Sequence, residues 1–129
     1  MEKVRIKILV DTDVLINFLR GKNEVRELLT QANIDGDLYC SVINVAEIYS
    51  GMRLKEKEET ENLLAGITII PVDENIARKA GYLRSSIKNN KQLLADCLIA
   101  ASAILNNCTL LTFNVRDFPF QEIHFYDPS

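Results

Sequence analysis

Ile6-Lys7-Ile8-Leu9-Val10-Asp11-Thr12-Asp13-Val14-Leu15-Ile16 is the stretch on which the reading of this chain turns. Its first five residues form a short run, apolar apart from Lys7 and largely β-branched, which predicts a buried β-strand. The run stops at three polar residues, each able to cap a helix. Residues 14–19 then regain an apolar pattern, with Gly21 as a stop signal, and predict a short helix. A buried strand that passes through a carboxylate into a helix opens an α/β unit, and such units bind ligands beyond the carboxyl ends of their strands.

The remaining sequence repeats the alternation. Val25, Leu28, Leu29 and Ala32 recur at helical spacing, and residues 33–37, containing Gly36, read as a turn before a second strand at 38–41. A third helix is expected at 44–54 and a charged one at 55–65, closed by Gly66. Residues 67–72 read as a third strand, and Pro71 assigns it to a sheet edge or a strand end. Asp73 caps the next helix, whose apolar face is Ile76, Ala80, Leu83 and Ile87. Asn89-Asn90-Lys91 breaks the pattern. Residues 95–105 are apolar nearly all round, so that helix should be central. A fourth strand at 109–112 and a fifth at 123–126 complete an α/β layout with a largely parallel sheet.

The chain has 129 residues, 47% of them apolar. That fits a single domain over residues 1–129 that buries roughly two-thirds of its unfolded surface. It needs neither disulfide nor metal to fold, so a metal here would be functional. Cys40, Cys97 and Cys108 are odd in number and lack C-x-x-C spacing, which argues against a disulfide framework or zinc knuckle and for a reducing compartment. No apolar run approaches the ~20 residues of a membrane span, and the charged N-terminus lacks the form of a signal peptide. The expected location is therefore cytoplasmic, with no membrane partner. A net charge of −3 disfavours tight, non-specific nucleic-acid binding. It is compatible with an enzyme that meets a phosphodiester at one site, where a cation supplies local positive charge.

Three acids sit at expected element ends. Asp11 follows the first strand; its plain alternative role is helix capping, for which Thr12 and Asp13 also stand ready. Glu47 lies in the mostly apolar Ser41-Val42-Ile43-Asn44-Val45-Ala46-Glu47-Ile48-Tyr49, with Ile43 one turn before and Ser50 and Gly51 one turn after. That face is expected to look inward; the alternative is a solvated helix face. Asp96 is the sole charge of its helix, and an acid there also suits the helix dipole. Clustered carboxylates repel one another unless a cation intervenes. Oxygen ligands without neighbouring Cys or His suit Mg²⁺, or Mn²⁺. A divalent cation that activates water and steadies a phosphoryl oxygen hydrolyses phosphodiesters.

These motifs resemble the PIN-domain family, specifically the VapC toxins of prokaryotic toxin–antitoxin pairs. The matching pieces are Leu9-Val10-Asp11-Thr12-Asp13-Val14-Leu15-Ile16, Val45-Ala46-Glu47-Ile48 with Gly51, Asp96-Cys97-Leu98-Ile99-Ala100-Ala101-Ser102-Ala103, and Leu111-Thr112-Phe113-Asn114-Val115-Arg116-Asp117-Phe118. They follow the family's order across nearly the whole chain. The resemblance implies a three-layer α/β/α sandwich, Mg²⁺-dependent endoribonuclease activity on RNA, a homodimer and a cognate antitoxin covering the acidic cleft. It implies Asp11 and Asp96 as metal ligands, with Glu47 as a third acid. The fourth acidic place falls to Asn114 or Asp117, and Asp117 is ranked as the auxiliary acid. Thr12 and Thr112 are expected to position water, and Asp13 to line the site or cap the helix. Arg20 and Arg116 are candidate RNA contacts, while His124 is expected to be structural. Two rivals are a PIN-like binding scaffold without catalysis and a receiver domain with Asp73 as phosphoacceptor.

Overall fold

The structure, a computed structural model, describes residues 5–88 and 93–128; the expected break at 89–91 lies outside them. Four strands form one parallel sheet in the order β3-β2-β1-β4: β1 (Ile6–Val10), β2 (Gly36–Ser41), β3 (Thr68–Ile70) and β4 (Cys108–Leu111). β1 is central, paired with β2 on one side and β4 on the other. The chain thus reverses its direction of winding at β1, and the crevice of such a fold opens at that point.

Helices cover both faces, giving the three-layer α/β/α sandwich. Leu9 and Leu110 face a core built with α5 (Glu74–Ser85) and α6 (Leu94–Leu105), which Phe118 and Ile123 close. Ile8, Val10 and Leu111 face the opposite core, with α1 (Thr12–Leu19), α2 (Asn23–Asp35), α4 (Lys57–Ala65) and Ile48 of α3 (Val42–Gly51). The alternation along β1 is the period-2 pattern of a strand between two apolar layers. Ile99, Ala100, Ala101 and Ala103 of α6 are fully buried, as its all-round apolar character requires. All three cysteines are free and buried. Among the described residues no helix is long and apolar enough to cross a membrane.

Several boundaries differ from expectation. Residues 33–37 are not a turn: α2 runs to Asp35 and β2 starts at Gly36. The Arg5 guanidinium serves the helix end, donating to Asn33 O at 2.7 Å and to Gly36 O at 2.6 Å. Gly36 is extended, with φ −160°; its missing side chain matters because a Cβ would fall 2.3 Å from Ile6 O across the ladder. The third helix starts at Val42, two residues early, because Ser41 caps it through Ile43 N–H at 3.0 Å. It stops at Gly51, and a 3-10 turn at Leu54–Glu56 precedes α4. β3 is shorter than expected, with Pro71 just beyond it at the sheet edge. Ile87 lies past the end of α5. The fifth strand reduces to one parallel bridge, Leu110 to Phe125. His124 contributes its backbone carbonyl to Leu110 N–H there, and the residue is exposed.

Candidate functional site

The carboxyl ends of β1, β2 and β4 converge at the crevice, and each delivers a polar residue: Asp11, Ser41 and Thr112. Asp11 is buried. It occupies the N-cap position of α1, but the backbone N–H that Oδ1 accepts is that of the adjacent Thr12, at 2.9 Å, and Asn44 Nδ2 donates to the same oxygen at 3.3 Å. A conventional cap would reach the second or third amide, so the carboxylate remains turned to the crevice. Its Oδ2 accepts from Thr112 Oγ1 at 2.8 Å, and Thr112 in turn accepts from Asn114 N–H at 3.0 Å.

Asp13 is not the cap. It lies inside the first turn and ties α1 to the loop after β4, where Oδ2 accepts from Asn114 Nδ2 at 2.8 Å and from Phe113 N–H at 3.1 Å. Glu47 is half-buried on α3, and its Oε1 accepts from Thr12 Oγ1 at 2.6 Å. Its face is less inward than expected, because Ser50 and Gly51 are exposed. Asp96 sits in the first turn of α6, where a hydrogen bond from the Leu93 backbone favours its ionised form. Asp117 lies in an exposed 3-10 turn, Val115–Asp117, which the buried Phe118 pins to the core.

The electrostatics tie these acids into one group. Burial, then Asp13, push the Asp11 carboxyl from its ordinary 3.8 to about 6, with Glu47 adding to the rise; the Thr112 and Thr12 hydrogen bonds oppose it. Burial, then Asp117, Glu47 and Asp13, raise Asp96 to about 6 as well. Asp13 is also raised, chiefly by burial, with Asp117 contributing. Five acids, Asp11, Asp13, Glu47, Asp96 and Asp117, are therefore linked electrostatically across the crevice. Asp117 raises both Asp96 and Asp13 electrostatically, whereas Asn114 donates its amide to Asp13.

The donor set fits a hard divalent cation: carboxylate oxygens whose ionised forms repel, with hydroxyls beside them and no thiolate or imidazole. Among the described residues no three His, Cys, Asp or Glu side chains form a ready-made cage for one ion. Mg²⁺ commonly takes only one or two carboxylates directly and keeps several waters, so such an ion does not require a three-carboxylate cage.

Thr12 and Thr112 are engaged with protein partners, Glu47 and Asp11, rather than free to hold water alone. Arg20 follows α1 at the end away from Asp11, about 12 Å along an eight-residue helix. Arg116 lies beside Asp117. Asp73 caps α5, accepting from Ile76 N–H at 2.9 Å after the edge strand, which removes the receiver reading. Sequence reasoning missed Asn44. It is fully buried and donates to Thr12 Oγ1 at 2.9 Å and to Asp11 Oδ1 at 3.3 Å. An uncharged polar residue in an apolar segment was the available signal. An open groove of about 510 Å³ between α1, α2 and α4 shares no residue with the acidic group.

Comparison with known proteins agrees with this arrangement. A family model described as PIN domain matches residues 8–125. Ribonuclease VapC10 of Mycobacterium tuberculosis is 44% identical over 117 residues, covering 89% of this chain and 88% of that protein. A toxin–antitoxin complex from Klebsiella pneumoniae contains a chain that superposes with a TM-score of 0.78 at 27% identity, covering 95% of this chain and 98% of that one. A chain in the FitAcB structure from Neisseria gonorrhoeae gives 0.76 at 29% identity, with 94% and 97% covered. The central strand ending in a buried aspartate, the four acids around it and these likenesses over nearly the full length place the chain in the PIN-domain family, among its VapC-type members.

Proposed function

We propose that this chain is a Mg²⁺- or Mn²⁺-dependent endoribonuclease, the toxin of a VapBC-type toxin–antitoxin pair. The observation that carries the reading is that Asp11 and Asp96 are both raised to about 6 by burial and by acids they share as neighbours, Asp13 and Glu47. Carboxylates held together at such cost are arranged for a positive charge.

Asp11 and Asp96 would hold the cation, while Glu47 and Asp117 would accept hydrogen bonds from water and orient it toward an RNA phosphodiester. When bound, a divalent cation would supply Lewis-acid polarisation of the phosphoryl group and of the attacking water. Asp13 keeps the loop after β4 in place through Phe113 and Asn114. Thr112 fixes the carboxylate plane of Asp11. Arg116, next to Asp117, meets a phosphate close to the scissile one, and Arg20 meets one farther along the strand. Removing either charge should reduce the salt dependence of RNA binding by about one unit of slope.

The toxin–antitoxin complex among the similar structures supports a cognate antitoxin as partner; the proposal further has that antitoxin cover the acidic crevice and the chain pair with a second copy of itself. The test is RNA cleavage with and without divalent cation, run beside Asp96→Asn, with cut sites mapped. Metal-dependent cuts that Asp96→Asn reduces at least about hundredfold are expected. Equal cleavage by the variant would refute the assignment. A monomer by light scattering at micromolar concentration would remove the dimer.

A further inference from the structure

Every polar atom of the Asn44 side chain is engaged. Oδ1 accepts from Ser41 N–H at 2.8 Å, the return bond of the α3 cap. Nδ2 donates to Thr12 Oγ1 at 2.9 Å and to Asp11 Oδ1 at 3.3 Å. The cap needs only an acceptor, which aspartate would supply equally well, so capping does not account for the amide donor. A hydroxyl has one proton and two lone pairs. The Glu47 carboxylate can only accept, so the Thr12 proton goes to its Oε1, 2.6 Å away, while the Asn44 amide occupies a lone pair of the same hydroxyl oxygen and fixes where that hydroxyl sits.

We propose that Asn44 is a positioning residue of the acidic site, fixing the Thr12 hydroxyl that donates to Glu47 while it holds Asp11 Oδ1, so that the carboxylate capping α1 and the one on α3 keep one relative placement. A fully buried carboxamide bonded to both groups resists rotation, because turning it would leave buried donors and acceptors unpaired. What is positioned for catalysis rests on the nuclease reading; the positioning itself does not.

The experiment combines a measurement on metal-free protein with a double-mutant cycle. Three-bond couplings of the Thr12 methyl group report its χ1 populations. One rotamer is expected in the wild type and averaged rotamers in Asn44→Ala. Mn²⁺ affinity and single-turnover RNA cleavage are then measured for Asn44→Ala, Thr12→Val and the double variant. Asn44→Ala should weaken Mn²⁺ about tenfold and slow cleavage about 10- to 100-fold. Its effect should be clearly smaller in the Thr12→Val background, where only the direct bond to Asp11 is left to lose.

Should Asn44→Ala fail to fold, Asn44→Asp keeps the acceptor for Ser41 and loses the donor. The Thr12 proton then turns to the new carboxylate, and slower cleavage without weaker Mn²⁺ binding is expected. Additive effects in the cycle, or an unchanged Thr12 rotamer with unchanged cleavage, would reduce Asn44 to a helix cap and overturn the proposal. A wild type that neither binds Mn²⁺ nor cuts RNA would overturn the nuclease reading instead, and the Thr12 couplings would still decide the positioning.

Discussion

Replacing Asp11 by asparagine should stabilise the metal-free protein, and more so at pH 7.5 than at pH 4.5. The Asp11 carboxyl stands at about 6 in the folded chain against 3.8 ordinarily, chiefly because it is buried. A carboxyl with a raised folded pKa binds its proton more tightly when folded. Its contribution to stability is therefore complete below pH 3.8 and is lost as pH rises through about 6. Full ionisation costs about 3 kcal/mol, of which about 2 kcal/mol falls between pH 4.5 and 7.5. Asparagine has no such dependence. Its amide oxygen takes the place of Oδ1, facing Thr12 N–H and Asn44 Nδ2. Its NH₂ meets Thr112 Oγ1, whose own proton must then turn away. That mismatch costs about 1 kcal/mol at either pH and cancels when the two pH values are compared. The assay is urea unfolding of both proteins in EDTA at each pH. The variant-minus-wild-type difference should widen by about 2 kcal/mol toward the higher pH. An unchanged difference would show that ionised Asp11 is not strained in the metal-free fold, and the argument from repelling acids to a cation would fail.

Adding Mg²⁺ at 100 times its Kd should stabilise the wild type by about 2.7 kcal/mol; thermal unfolding with and without cation checks this, and Asp96→Asn should remove most of the gain. Gly36→Ala should cost about 3 kcal/mol in urea unfolding, because its Cβ would meet the Ile6 carbonyl oxygen at 2.3 Å. Arg5→Ala should cost about 1 kcal/mol and speed amide exchange at residues 33–36, where the guanidinium now takes the carbonyls at the end of α2.

The sequence by itself determined the elements and the three acids. A run such as Ile8-Leu9-Val10 followed by Asp11 states a buried strand and its exit locally, and the all-round apolar α6 states its own burial, because hydrophobic period depends only on neighbours in the chain. Asp96 was legible for the same reason, as the lone charge of an apolar helix. Element junctions were less legible. Gly36 looks like a turn residue from its neighbours, whereas its role is a close approach to Ile6, thirty positions away. Asn44 reads locally as a cap, yet its amide meets Asp11 and Thr12, 33 and 32 positions away. Nor did local spacing decide between Asn114 and Asp117. Only the tertiary structure, by pinning Phe118 in the core, set Asp117 against Asp13 and Asp96. Asp11 could have been a helix cap by sequence alone. Its repulsion by Asp13 is local, but its desolvation, and the approach of Glu47 from α3, exist only once four strands lie in the order β3-β2-β1-β4 and bring those groups to one end of the sheet.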